Sequence, residues 1–255
     1  MQRLGKNRGG YHGETIAIHD VLATARATAQ ERGWMTETLP VTPELNLWAF
    51  HRGGTAPRRR VYISAGIHGD EPAGPLAVRQ MLDEDRWPTG VALWVCPCLN
   101  PTGFVASRRE NAAGFDLNRD YRHQQTAEIR AHAAWLARQP SFDLTLCLHE
   151  DWEAAGFYLY ELNPDQHPSA AERAVAAVAA LCPIDPAPVI DGREARGGVI
   201  RPSLDPENRP QWPEAFYLLR HKTRHSYTLE APSDFPLARR VAALVTAVRS
   251  ILDGE

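Results

Sequence analysis

Apolar residues recur at helical spacing over residues 15–31 (TIAIHDVLATARATAQE), where Ile16, Val21, Leu22 and Ala25 share one face. Short β-prone runs follow at 34–39 and 46–51. RRRVYISAG (58–66) is nearly continuously apolar and closes on Gly66, as suits a strand covered on both faces. A helix is predicted at about 72–84, with Pro72 in its first turn. VALWVCP (91–97) and FDLTLCLH (142–149) are two more buried-type strands, separated by a polar loop and an Ala-rich helix at 125–138. FYLYE (157–161) is short and β-prone, and 169–181 reads as a helix. Residues 183–214 are dominated by Pro, Gly, Asp and Arg and read as a long ordered loop, a lid or substrate loop. HSYTLEA (225–231) is the last strand and 235–252 the last helix.

Strand followed by helix, repeated, predicts an α/β fold: a mixed, largely parallel sheet with helices on both faces. No internal repeat or boundary appears, so residues 1–255 form one domain, with 1–58 supplying an N-terminal helix and leading strands. Ligands of such sheets bind beyond the carboxyl ends of the strands.

Composition narrows the classes. The 255 residues are 44% hydrophobic and 23% charged, an ordinary globular balance. Net charge is −3, from 28 basic and 31 acidic residues, which argues against wrapping nucleic acid. No apolar run is long enough to span a membrane. MQRLGKNRGGYHGE has basic residues but no apolar run behind them, unlike a secretory signal. Cys96, Cys98, Cys147 and Cys182 fit buried reduced thiols, and a cytoplasmic location is expected.

The chemistry concentrates at strand ends. After the strand at 58–66 come His68 and Glu71, three apart around a turn, a spacing that can bring an imidazole nitrogen and a carboxylate onto one zinc ion. His149 ends the strand at 142–149 and could supply a third ligand, leaving a fourth position for water. Glu230 ends the last strand, where partial desolvation would raise its pKa toward a general-base range. Between them lies a polar loop with Arg108, Arg109, Asp116, Asn118 and Arg119. Arginine suits a carboxylate or a developing oxyanion, and Asp116 could orient a ligand histidine. Each feature has a plain alternative as a solvated turn or surface charge. Together they read as a mononuclear zinc hydrolase, with His68, Glu71 and His149 on the metal, Glu230 activating water and an arginine polarising the carbonyl.

From about residue 60 to 250 the chain resembles the carboxypeptidase A-like zinc metallocarboxypeptidases. The resemblance rests on His68-Gly-Asp-Glu71, Asn100-Pro-Thr-Gly103, Arg109-Glu-Asn111, Asp116-Leu-Asn-Arg119, His149 and Glu230 in that order. It implies one zinc held by His68, Glu71 and His149, with Glu230 as general base. It implies that Arg109 stabilises the oxyanion, Asn118 and Arg119 grip the substrate carboxylate, and Asp116 backs the first histidine. Arg108 competes with Arg109 if the loop alignment slips by one. Digestive members have an arginine before the ligand glutamate, where this chain has Asp70, and a longer gap to the last ligand. The chain looks more like compact bacterial members such as murein peptide amidases, and like the succinylglutamate desuccinylase/aspartoacylase branch. Tyr217 and Tyr227 are the candidates for the family's capping tyrosine.

The implied activity is hydrolysis of a peptide or peptide-like amide next to a free carboxylate. The alternatives are an N-acyl amino acid deacylase and a non-catalytic binding protein that keeps the fold. Partners are then a small peptide or N-acyl amino acid, with neither nucleic acid nor membrane. Asp70 caps the following helix or meets a substrate ammonium. Arg193, Arg196 and Arg201 are solvated lid residues or reach an acidic acyl group. Tyr158, Tyr160 and Trp152 line the pocket or pack in the core, and His12, His19, His221 and His225 read as surface residues.

Overall fold

In chain order the elements of the computed structural model are α1 (Ile18–Glu31), β1 (Met35–Pro40), β2 (Asn46–Arg52), β3 (Arg59–Ala65), α2 (Ala73–Glu84) and β4 (Val91–Cys96). Next come α3 (Pro101–Ala106), α4 (Ala127–Arg138), β5 (Leu144–Asp151), β6 (Tyr158–Leu162) and α5 (Ala171–Ala179). The chain closes with β7 (Val189–Ile190), β8 (Arg193–Arg196), β9 (Val199–Ile200), α6 (Glu214–His221), β10 (Ser226–Pro232) and α7 (Leu237–Leu252). The described residues are 3–53, 56–203 and 209–253.

Among these residues the strands form one ten-stranded sheet, ordered β1-β2-β4-β3-β5-β10-β6-β9-β8-β7. The central strands β4, β3, β5 and β10 are mutually parallel. Parallel strands need helical crossovers, and α2, α4 and α6 lie in those connections. On one wing β1 and β2 are antiparallel, and β2 is antiparallel to β4. On the other, β6 runs against β10, and β7, β8 and β9 form a small antiparallel set that joins β6 through β9. The sheet is mixed, as predicted, with its parallel pairs concentrated at the centre and one more between β6 and β9. The stretch 183–214, predicted as a loop, adds these three short strands and starts α6, while residues 204–208 lie outside the described residues.

Side chains alternate across each strand, and this decides where the chemistry can sit. Val61, Ile63 and Ala65, Leu144, Leu146 and Leu148, and Tyr227, Leu229 and Ala231 pack in one core with α2, α5 and α7. The intervening residues face the other way. Tyr62, Cys96 and Cys147 join a second core with α4 and α6. His149 and Glu230 continue this second set at the carboxyl ends of β5 and β10, where a cavity opens. The four cysteines are free and buried.

One buried ion pair ties the first core to the sheet end. Arg240 on α7 is fully buried and donates to Glu150 Oε2 at 2.5 Å and to Glu14 at 2.6 Å. Glu150 Oε1 accepts the Ala73 N–H at the start of α2. The N-terminal segment is clipped alongside: Asp234 accepts from the Arg3 side chain and from the backbone of Gly5 and Lys6. Arg240→Ala would leave Glu150 buried without its partner. The expected cost is about 3–5 kcal/mol, read as a lower urea midpoint with an unchanged slope.

Candidate metal centre

β3 ends at Ala65, and the chain turns at Gly66 with φ +62°, a left-handed conformation that favours glycine. The turn carries His68 and Glu71 to the carboxyl edge of the sheet, just ahead of α2. His149 reaches the same point from β5, and Glu230 is its register partner on β10. His68 Nδ1 lies 2.5 Å from Glu71 Oε1, and His149 Nδ1 lies 3.0 Å from Glu71 Oε2. One donor atom from each residue falls within 4.8 Å of the others, and all three side chains are buried.

The donor set fits a metal ion. Two imidazole nitrogens and a carboxylate are a catalytic zinc ligand combination. A carboxylate buried between two imidazoles also needs positive charge, which either a proton or a divalent cation supplies. Burial alone would raise the Glu71 pKa, but the facing histidines hold it well below the usual carboxylate range. Burial alone would lower that of His68, and Glu71 and Asp116 outweigh it, so it sits above the ordinary value. His68 turns its remaining nitrogen, Nε2, toward Asp116 Oδ1 at 3.4 Å, and that atom has no other partner among the described residues. An Nε2–H facing a carboxylate leaves Nδ1 as the free lone pair, the tautomer a metal requires.

Asn100 holds the loops in place. Its side-chain oxygen accepts from Gly103 N, and its Nδ2 donates to the carbonyls of Ile67 and Arg109. The His68 loop and the Arg109 loop are thus joined through one side chain. The approach is close enough that a Cβ on Gly69 would fall 2.0 Å from the Gly103 carbonyl carbon. The Asn-Pro-Thr-Gly stretch noted in the sequence is therefore structural.

The polar loop supplies the cations. Arg109 donates through Nε to Asp116 Oδ2 at 2.8 Å, and its Nη1 lies 3.3 Å from His68 Nδ1 and 3.9 Å from Glu71. Asp116 also accepts the Asn118 N–H, and His68 and Arg109 hold its pKa low despite burial. Arg108 turns away to the Asn111 carbonyl and does not line the cavity. Asn118 and Arg119 both line it. Glu230 is half-buried on the cavity wall; desolvation pushes its pKa well above the carboxylate range, against the pull of His149. The cavity measures about 940 Å³.

His68, Glu71, His149, Glu230, Asn118 and Arg119 thus all lie on one cavity. Other expectations need correction. Asp70 does not cap α2, whose first N–H is taken by Glu150. Instead Asp70 lines the cavity, and burial together with Glu71 pushes its carboxyl up to about 6. Tyr227 is fully buried on Glu161, and Tyr217 packs against Tyr121 and His221, so neither faces the cavity. Tyr158, Tyr160 and Trp152 do, with the two tyrosine hydroxyls donating to Asp151 and Asp191. Of the three arginines singled out in the segment, Arg193 lines the cavity, paired with Asp191, whereas Arg201 is held by Glu161 and Glu172 and Arg196 by Glu194; Arg209 of the same segment also lines it. His225 is buried against Glu161 rather than at the surface. Tyr11 was missed: its ring lines the cavity while its hydroxyl meets Arg240, and nothing in the local pattern signals this.

The fold is one shared with metallopeptidases and metallo-carboxypeptidases, and the donor set is one that can hold a metal ion. The succinylglutamate desuccinylase/aspartoacylase catalytic domain matches residues 57–196, more than half of the chain, and the chain belongs to that family. A candidate metallopeptidase of Shewanella amazonensis SB2B superposes with a TM-score of 0.78 at 26% identity, over 93% of this chain and 92% of that one. A metallo-carboxypeptidase of Burkholderia cenocepacia shares the fold with a TM-score of 0.67 at 18% identity, over 94% and 69% of the two chains. Carboxypeptidase 2 of Trichophyton tonsurans is 33% identical over 82 residues, 28% of this chain. The matched stretch covers 15% of that relative's length. Among the described residues no helix is long and apolar enough to cross a membrane.

The close approach at Gly69 gives a direct check. Gly69→Ala should push the His68 loop off Gly103 and cost roughly 1–3 kcal/mol, seen as a lower melting temperature.

Proposed function

We propose that this chain is a zinc-dependent amide hydrolase that cleaves a peptide or peptide-like bond next to a free carboxylate. The observation that carries the reading is the meeting of a buried His-Glu-His donor set with Glu230, Arg109, Asn118 and Arg119 on one cavity. His68, Glu71 and His149 would hold the ion. Zinc bound there supplies Lewis-acid polarisation of the carbonyl and an acidified water. Glu230 takes the proton of the attacking water and returns it to the leaving amine. A desolvated carboxylate suits both roles, because its raised pKa brings proton loss and gain closer in energy. Arg109, steered by Asp116, faces the oxygen that becomes negative as the carbonyl turns tetrahedral. Asn118 and Arg119 receive the substrate carboxylate, Arg119 as a forked donor.

The size of the cavity, about 940 Å³, favours a peptide-like substrate, since it stands near the upper end of drug-sized sites. The segment 183–214 forms part of its wall through residues such as Val189, Arg193 and Pro213, which supports a lid or substrate-loop role. A second reading, deacylation of an N-acyl amino acid, is favoured by the family match. Arg193 at the rim would then meet an acidic acyl group in exchange for Asp191.

Metal content and hydrolysis of a mixed panel of peptides and N-acyl amino acids, measured on the same samples, test the reading. About one zinc per chain is expected, lost in His149→Ala together with hydrolysis. Glu230→Gln should keep the zinc and lower kcat roughly 10²–10⁴-fold. Arg119→Ala should raise KM strongly for carboxylate-bearing substrates, and an unchanged KM would sink the carboxylate grip. Wild type that stays metal-free and inactive after zinc is added back would identify a binding protein instead.

A further inference from the structure

The face of the sheet that carries His149 and Glu230 also carries a line of buried polar groups that no step above uses. Tyr121 follows the Asn118-Arg119 turn, and its hydroxyl lies 2.6 Å from His132 Nδ1 on α4. His132 Nε2 lies 2.8 Å from the Tyr62 hydroxyl on β3. Tyr62 donates to Glu214 Oε1 and Ser64 to Glu214 Oε2, both at 2.9 Å. All five side chains are buried.

Donor counting gives the line a direction. Tyr62 has one hydroxyl proton and gives it to Glu214, so it accepts from His132 Nε2–H. His132 Nδ1 then carries no proton and accepts from Tyr121. Burial lowers the His132 pKa to about 3, which keeps the ring in this neutral form.

Glu214 makes a second contact, through its backbone. As the first residue of α6 it donates its N–H to Asn118 Oδ1 at 2.8 Å. An amide that faces an N–H must present its oxygen, so the Asn118 amide cannot be turned round. Its Nδ2 makes no hydrogen bond to the described residues, and Asn118 lines the cavity. Arg119 in turn donates to the Asn118 carbonyl at 3.0 Å.

We propose that Glu214 is a positioning residue: anchored by Tyr62 and Ser64, it holds Asn118 with its NH₂ toward the cavity and so sets the site's preference for a carboxylate. A carboxylate can only accept hydrogen bonds, so an inverted amide would present it with a repelling oxygen. The inference rests on the reading that Asn118 and Arg119 grip the substrate carboxylate.

The test compares 3-phenylpropanoate, a carboxylate with no cleavable bond, with 3-phenylpropanamide. Isothermal titration calorimetry on metal-loaded protein gives both dissociation constants for wild type, Glu214→Ala, Tyr62→Phe and Arg119→Ala. Wild type should prefer the carboxylate by roughly tenfold, the worth of a hydrogen bond to a charged group. Glu214→Ala and Tyr62→Phe should cut that preference at least about threefold, by weakening the carboxylate while the amide stays unchanged. If Glu214→Ala does not fold, Tyr62→Phe decides alone, since it keeps the buried ring. Equal weakening of both probes, or an intact preference, overturns the inference. If only Arg119→Ala abolishes the preference, the grip stands and the positioning role falls. If wild type shows no preference, or Arg119→Ala retains it, the grip itself fails and the inference falls with it.

Discussion

A carboxylate buried at the end of a sheet has to be matched by positive charge, and Glu71 imposes that demand on everything around it. His68 and His149 face its two oxygens from different elements. Holding them there requires the Gly66 turn, the Asn100 clasp between two loops and the carboxyl end of β5. The nearest cation, Arg109, is itself tethered by Asp116, which also faces His68. Loss of any of these supports would leave a buried charge poorly compensated, and such charges are costly. The site is thus rigid because its electrostatics leave few alternatives.

The buried strands were legible because they sit in the middle of the sheet. β3, β4 and β5 are covered on both faces, so they appear as unbroken apolar runs, and each ends where the chain becomes polar. His68 and His149 mark the ends of β3 and β5, and Glu230 that of β10, which made the donor set readable without any contact information. The helices α1, α2, α4, α5 and α7 were legible in the sequence, with starts displaced by one to three residues and all ends but that of α5 as expected.

What the sequence concealed depends on contacts between distant segments. β7, β8 and β9 are only two to four residues long, so no period could develop. Asp70 reads either as a cap of the following helix or as a contact for a substrate ammonium, but Glu150 reaches in from β5 and takes the helix N–H. Glu150 itself had a signal: next to His149 in a strand, it must point to the opposite face, into the core of α2 and α7. Tyr217 and Tyr227 have the chain position of a capping residue, yet the register of β10 and the packing of α6 turn both inward. His225 looks like a loop histidine until Glu161 on the neighbouring strand is placed beside it.

The clasp between Arg240, Glu150 and the N-terminal residues has a consequence for how the protein is made. Glu14 and Tyr11 leave the ribosome long before their partner on α7, which follows more than 220 residues later. Glu230 is likewise among the last cavity residues to be synthesised. Until then the nascent chain carries the histidines and Glu71 without the strand and helix that enclose them. Such long-range closure is slow compared with local helix formation. The cavity is therefore completed only once β10 and α7 have been made, so a chain interrupted before them exposes His68, Glu71 and His149 without the enclosed pocket.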